Sequence, residues 1–169
     1  MNEKLTPLSE PRFPIRVRLA LAADCASLIP LINSAFSIET FLEGTRTDQA
    51  RLTAMMEKGS ILAAEDNSAR IHGCVYVEVR GDRGYMGQLA VDPAHQRAGL
   101  GRLLVEAAES HLHGCGCKAV DITVLSLRPE LPPIYRRFGY IGTGTEEFHP
   151  GRPLKSGEEC HSIAMSKQL

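Results

Sequence analysis

The sequence has no tryptophan, and only 5% of its residues are aromatic. It also lacks a charge of one dominant sign. Its formal net charge is −1, so no overall basic field exists to draw in nucleic acid or an anionic membrane. No apolar run approaches the roughly 20 residues needed to span a bilayer. The first stretch has no apolar core of the kind a signal peptide carries. Met1 to Pro14 instead mixes Glu3, Lys4, Glu10 and Arg12 with three prolines, and reads as a loose tail, residues 1–14. Residues 15–169 are then left as one domain, a length that supports one real core. The five cysteines are odd in number, and reduced thiols in a cytoplasm are the simplest account of them.

What is present is a regular alternation of strand and helix patterns. Ile15, Val17 and Leu19 alternate with polar neighbours, as in a strand with one buried face. Asp24 is placed to cap a helix carrying Leu28, Leu31, Ile32 and Ala35, with Pro30 as its awkward residue. Asp48 is placed to cap a second, ended by Gly59. Three strands are expected next, at Ser60 to Ala64, around Ile71 to Val79, and from Tyr85 to Val91. The spacing predicts a helix over Gly99 to His113, with Leu100, Leu103, Leu104, Ala107, Ala108 and His111 inward. A strand at Val120 to Val124, a short helix from Pro132 to Gly139 and two closing strands complete the chain. Pro150 to Gly157 is a loop between those strands. This order implies a mixed α/β sheet with helices on both faces. The strands on either side of the long helix should be parallel, through a right-handed crossover.

One segment carries chemistry, Gln88-Leu89-Ala90-Val91-Asp92-Pro93-Ala94-His95-Gln96-Arg97-Ala98-Gly99-Leu100-Gly101. It leaves a strand, turns, and enters a helix through two glycines. Free main-chain N–H groups and the positive end of the helix dipole then converge, which suits a phosphate or pyrophosphate. Gly99 and Gly101 let a ligand approach the main chain, though the same glycines would also relieve crowding at such a turn. A Walker loop is excluded, because Gly101 is followed by Arg102-Leu103 rather than Lys-Ser/Thr. A dinucleotide fingerprint would need a third glycine.

Gln96-x-x-Gly99-x-Gly101, after Leu89 to Pro93, resembles the coenzyme A loop of the GNAT superfamily of N-acetyltransferases. Ile134-Tyr135-Arg136-Arg137-Phe138-Gly139-Tyr140 resembles a second motif of that family, on the short helix after the next strand. With the element order, the resemblance covers Ile15 to Met165. It implies a mostly antiparallel twisted sheet of six to seven strands whose one parallel pair splays apart to admit the pantetheine arm. It also implies acetyl-CoA as co-substrate, and a small-molecule or peptide amine as acceptor, in a monomer or homodimer. Carried over, Leu89, Ala90 and Val91 border the arm. Gln96, Arg97, Ala98, Gly99, Leu100, Gly101 and Arg102 surround the pyrophosphate. Tyr135 matches the general acid that gives a proton to the leaving thiolate.

Two positions depart from the family pattern. Arg128 stands where relatives carry an asparagine that touches pantetheine, and is expected to reach phosphate or substrate instead. Tyr85 and Gln88 stand where relatives place a basic glutamate. That leaves a water relay on Gln88, with Glu78 and His72 as weaker candidates. A sensor that binds acyl-CoA without turnover is the alternative to an enzyme. Glu146, Glu147, Glu158 and Glu159 point either to a cationic acceptor or to a plain solvated surface. His111-x-His113-x-Cys115-x-Cys117 lacks the paired spacing of a structural metal site and straddles a helix end, so no metal is expected. Cys25, Cys74 and Cys160 fall in core-like patterns.

Overall fold

The long alternating run around Val75 becomes the centre of the sheet because both of its faces find cover. In the computed structural model of the chain, which describes residues 13–149 and 151–169, strand β3 (Ile71–Arg80) is buried from His72 to Val77. Of the tail expected over residues 1–14, residues 1–12 lie outside the described residues, as does Pro150 in the later loop. The other strands are β1 (Arg16–Leu19), β2 (Ser60–Glu65), β4 (Arg83–Val91), β5 (Ala119–Leu125), β6 (Ile141–Glu147) and β7 (His161–Gln168). They form one seven-stranded sheet in the order β1-β2-β3-β4-β5-β7-β6. Every neighbouring pair is antiparallel except β4 and β5.

Helices cover both faces. On one side, α1 (Cys25–Ala35) and α2 (Gln49–Lys58) seat Leu28, Ile32 and Leu52 on Ile61, Cys74, Tyr76 and Ala90. On the other, α3 (Leu100–Gly114) packs against Leu62, Val75, Val77 and Val120. The short α4 (Leu131–Arg137) adds Leu131 and Tyr135 to that second cluster. Beyond Val77 burial fades along β3, and Val79 is 47% exposed. Among the described residues, no helix is long and apolar enough to cross a membrane.

Several local expectations resolve differently in three dimensions. The buried row of α3 is Leu100, Leu104, Val105, Ala108 and Leu112, while Leu103, Ala107 and His111 lie at its margin. Apolar residues flank the i, i+4 row on both sides, so periodicity allows either rotation and the sheet chooses one. Asp24 does not cap α1. Its carboxylate accepts from the Leu21 N–H at 2.7 Å and from Arg18 at 2.8 and 3.0 Å, bracing the chain ahead of the helix. Pro30 lies inside an unbroken α1, where it removes only the helical bond to the Ala26 carbonyl. Asp48 does cap α2, accepting from the Arg51 N–H at 2.9 Å.

Gly59 ends α2 with an extended backbone, φ −149°. It is needed because of a close approach, since a Cβ there would lie 2.3 Å from the Val77 carbonyl oxygen. The main chain cannot yield as a flexible side chain does, so Gly59→Ala is expected to destabilise the fold by about 1–3 kcal/mol. Gly114→Ala, where a Cβ meets nothing within 4 Å, should leave stability within about 0.5 kcal/mol or raise it. Urea unfolding of the two variants checks the contrast, and equal midpoints would refute the close-approach account.

Candidate functional site

The parallel contact between β4 and β5 is short. Arg83, Gly84 and Tyr85 register with Ala119, Val120 and Asp121, and the pairing then stops. β5 stays paired with β7 along its whole length. β4 follows β3 but carries a bulge: Cys74 faces Ala90 and Tyr76 faces Gly87, so Gln88 and Leu89 together oppose Val75. Gln88 adopts φ +51° to make this turn. A bulge bends and twists its strand, and here β4 swings away from β5. The gap opens into a cavity of about 470 Å³, bordered by Gly87 to Leu89 on one strand and Ile122 to Leu125 on the other.

At the far end of β4 the chain turns into α3. The Asp92 carboxylate accepts from the Ala94 N–H at 3.0 Å. Gln96 donates through Nε2 to the Val91 carbonyl at 3.3 Å, so it holds the turn together and occupies an oxygen expected to face the pantetheine arm. Arg97 and Gly99 both adopt the left-handed region, φ +63° and +81°. Gly99 is the N-cap of α3 and offers no side-chain acceptor. The first helical N–H known to find a carbonyl is that of Leu103, which donates to Gly99 at 3.1 Å. The N–H groups of Leu100, Gly101 and Arg102 therefore end a fifteen-residue helix without intrahelical partners. A Cβ built on Gly101 meets no atom within 4 Å. Three donors at a helix start, a helix dipole and the open space beside Gly101 are features that suit an anion. Leu100 contributes only main chain, because its side chain is 1% exposed in the core. Arg102 turns its guanidinium to Glu106 at 2.7 Å.

Tyr135 stands on the wall of the cavity, placed there by α4. Its ring packs edge-on against Tyr140 and Phe138, with centroids 5.7 and 6.2 Å away. Burial pushes its pKa up to about 12, with Tyr85 acting in the same direction and Arg128 opposing. The phenol is therefore a protonated hydrogen-bond donor throughout the neutral range.

The remaining expected residues divide. None of Gln96 to Arg102 lines the cavity, whereas Arg128 does. Arg128 has Nη1 on Glu39 at 3.2 Å and Nε on Glu130 at 2.5 Å. Gln88 lines the cavity, but its Oε1 accepts from Arg46 Nε at 2.8 Å, which removes part of the acceptor capacity that a water relay needs. Glu78 accepts from Tyr76 and Arg80 at 2.7 and 2.8 Å. His72 is bound through Nε2 to Asp66 at 2.7 Å. Neither lines the cavity that holds Tyr135; Glu78 borders a smaller neighbouring pocket with Tyr85, Gly87 and Gln88.

A family model described as an acetyltransferase (GNAT) domain matches residues 32–153. The chain belongs to the GNAT acetyltransferase family. It is 26% identical over 104 residues to a mycothiol acetyltransferase from Propionibacterium freudenreichii subsp. shermanii, covering 59% of this chain and 33% of that protein. The match thus spans about a third of that relative's length. The fold resembles the ribosomal-protein-S18-alanine N-acetyltransferase of Escherichia coli, with TM-score 0.73, 16% identity, and 92% and 94% of the two chains covered. It also resembles a putative acetyltransferase of Salmonella typhimurium solved with acetyl-CoA, with TM-score 0.72, 23% identity, and 92% and 94% covered.

Glu39, Arg46 and Arg152 of this GNAT domain escaped the sequence reading, and they form one group with Arg128. Glu39, only 5% exposed, receives three guanidinium groups: Arg152 Nη2 at 2.6 Å, Arg128 Nη1 at 3.2 Å and Arg46 Nη1 at 3.3 Å. Arg46 also lies 4.3 Å over the Phe36 ring. All five residues line the cavity. No local pattern announces them, since Glu39 and Arg152 are 113 positions apart. Their loops are joined by a bridge between Leu42 and Leu154. The carboxylates read earlier as one acidic field separate. Glu146 and Glu147 border the cavity from the exposed edge strand β6, whereas Glu158 and Glu159 do not border it.

Among the described residues, His111 and Cys115 come only to 3.8 Å, and His113 and Cys117 do not join them. Cys25, Cys74 and Cys117 are buried, Cys160 is partly so and Cys115 is exposed. Burial pushes the Cys74 thiol up to about 12, which suppresses its thiolate. His72, Asp92 and His95 do converge, with one ligand atom from each within 4.8 Å of the others. Among the described residues, the Nδ1 atoms of both histidines find no hydrogen-bond partner. This cluster backs the turn that carries the anion loop.

The Tyr135 phenol is expected to titrate far above an exposed tyrosine, which ionises near pH 10. Ultraviolet difference titration of the wild type against Tyr135→Phe should place its midpoint near 12. A midpoint close to 10 would mean the ring is solvated and the burial argument wrong.

Proposed function

We propose that this protein is an acetyl-CoA-dependent N-acetyltransferase that acts by direct attack of a neutral primary amine. The observation that carries this reading is the pairing of an open parallel-strand gap with an uncapped helix N-terminus at one end and Tyr135 on its wall. The residues fit acetyl-CoA. The N–H groups of Leu100, Gly101 and Arg102, with the empty space beside Gly101, suit a pyrophosphate. The separated strands leave room for an extended arm beside Leu89. The co-substrate supplies an activated thioester, and the chain supplies position and charge.

The amine nitrogen forms a bond to the thioester carbonyl carbon and the carbon–sulfur bond breaks, leaving an N-acetyl product and a thiol. The proton lost by the attacking nitrogen balances the one gained by sulfur. Tyr135 donates a hydrogen bond to the sulfur as negative charge develops, and transfer completes as the nitrogen releases its proton. With a pKa near 12, the phenol steadies that charge better than it gives up a free proton. The Glu39 carboxylate is taken up by three guanidiniums, so the acceptor enters already neutral or loses its proton through water. Alignment of amine and thioester in one cavity provides much of the acceleration.

Acetyl-CoA is expected to raise the melting temperature of the wild type, because a ligand of the folded state stabilises it. Gly99→Ala and Gly99→Glu share the backbone strain of replacing a residue at φ +81°, but only the second opposes a pyrophosphate by charge. The glutamate variant should lose the shift while the alanine variant keeps part of it. Tyr135→Phe should lower kcat about 10²-fold and leave the acetyl-CoA shift intact. An unchanged kcat would move the acid role elsewhere. A thermal shift without thiol release from any amine would favour the acyl-CoA sensor.

A further inference from the structure

We propose that the arginines around Glu39 form a carboxylate-binding subsite, and that the acceptor is a small amino acid bearing its own carboxylate beside the amine. The proposal rests on the acetyltransferase reading and names the substrate class for that same cavity.

The argument begins with charge. Arg46, Arg128 and Arg152 converge on one buried carboxylate. The side chains of Arg128 and Arg152 are 14% and 8% exposed. Each guanidinium has five N–H donors, whereas one carboxylate offers about four acceptor positions. The other acceptors found are the Gly44 carbonyl for Arg152 at 3.3 Å, Gln88 Oε1 for Arg46 at 2.8 Å, and the half-exposed Glu130 for Arg128 at 2.5 Å. A purely structural cluster tends towards balance, because buried uncompensated charge is strongly unfavourable. Here three guanidiniums meet two carboxylates, Glu39 and Glu130, and all three arginines line the cavity. Burial first, and then the nearby Arg152 charge, holds the Arg46 pKa below its ordinary value. That guanidinium would gain from a further anion.

Geometry then says which anion. The anion loop that suits pyrophosphate borders a different region, and none of its residues lines this cavity. A second phosphate of the co-substrate is therefore not required to explain the arginines. Tyr135 shares the cavity with them, so a group held by the arginines belongs to a molecule whose other end reaches the reacting carbonyl. The cavity of about 470 Å³ must also take the end of the pantetheine arm. That leaves space for a small molecule. Glu39 sets the arginines in place, and Phe36 stacks on Arg46 to fix its plane. Glu146 and Glu147 at the rim favour the ammonium end of such a zwitterion as it enters.

The test uses acetyl-CoA and matched acceptors, each α-amino acid beside its carboxamide and its decarboxylated amine, read by thiol release. For the preferred amino acid, kcat/KM should exceed that of both partners by roughly 10-fold or more, as expected for a charge-assisted bidentate contact. Arg46→Gln and Arg128→Gln should each collapse that ratio towards one. A merely structural role would lower all three acceptors together and leave the ratio unchanged. Should Arg46→Gln fail to fold, Arg128→Lys supplies the second measurement, keeping the charge but losing the fork and lowering the ratio only in part. Calorimetric binding of the N-acetyl amino acid to the CoA-bound protein should weaken in parallel. Equal or better use of the amides and amines by a protein that acetyl-CoA still stabilises overturns the subsite and spares the acetyltransferase reading. Absence of any acetyl-CoA shift overturns both.

Discussion

Three residue pairs of parallel sheet, Arg83 to Tyr85 against Ala119 to Asp121, are the constraint on which the site depends. Had the pairing continued, the two strands would have satisfied each other's main chains and left no room between them. It stops because each strand has a stronger attachment on its other side. β5 is fully paired with β7, and β4 follows β3 through the bulge at Gln88 and Leu89. The junction is marked by a two-point contact from Arg83 to Asp121 at 2.7 and 2.6 Å. Both side chains are exposed enough that this pair sets geometry more than stability. The buried Ala119 and Val120 anchor the strand itself.

The rest of the site is built outward from that opening. α3 starts where β4 ends, which brings its uncapped N-terminus to one mouth of the gap. α4 follows β5, which brings Tyr135 to the wall. The two loops joined at Leu42 and Leu154 carry Glu39 and Arg152 over the other mouth. Each feature is ordinary alone. A glycine-started helix binds anions in many settings, and a partly buried tyrosine such as Tyr135 usually only packs. Tyr135 and the arginines share one cavity, and the glycine-started helix opens just beyond the strand that borders it.

Much of the fold was legible before any coordinates. Alternation in the β3 run, the cap at Asp48 and the glycine-led start of α3 are short-range effects, decided by neighbours within a few residues. The expected failures have equally local causes. Asp24 had two uses for its carboxylate, and Arg18 with the Leu21 N–H supplied the better one. The rotation of α3 was undetermined because apolar residues bordered its buried row on both sides. The bulge at Gln88 left no mark, since nothing in Gln-Leu-Ala-Val announces a residue at φ +51°.

The sequence alone determined the order of strands and helices, which helix opens on glycine, and that a tyrosine follows on a short helix at the family's spacing. Those properties are set by steric limits on φ, by periodic burial and by main-chain hydrogen bonds to nearby side chains. Only the tertiary structure decided which charges meet. Arg128 met Glu39, Arg46 took the Gln88 oxygen, and Arg152 came in from a loop 113 residues away from its partner. Charges act through space with no periodicity along the chain. A long flexible arginine can reach several partners, and the choice is made only when folding fixes which carboxylate is withdrawn from water.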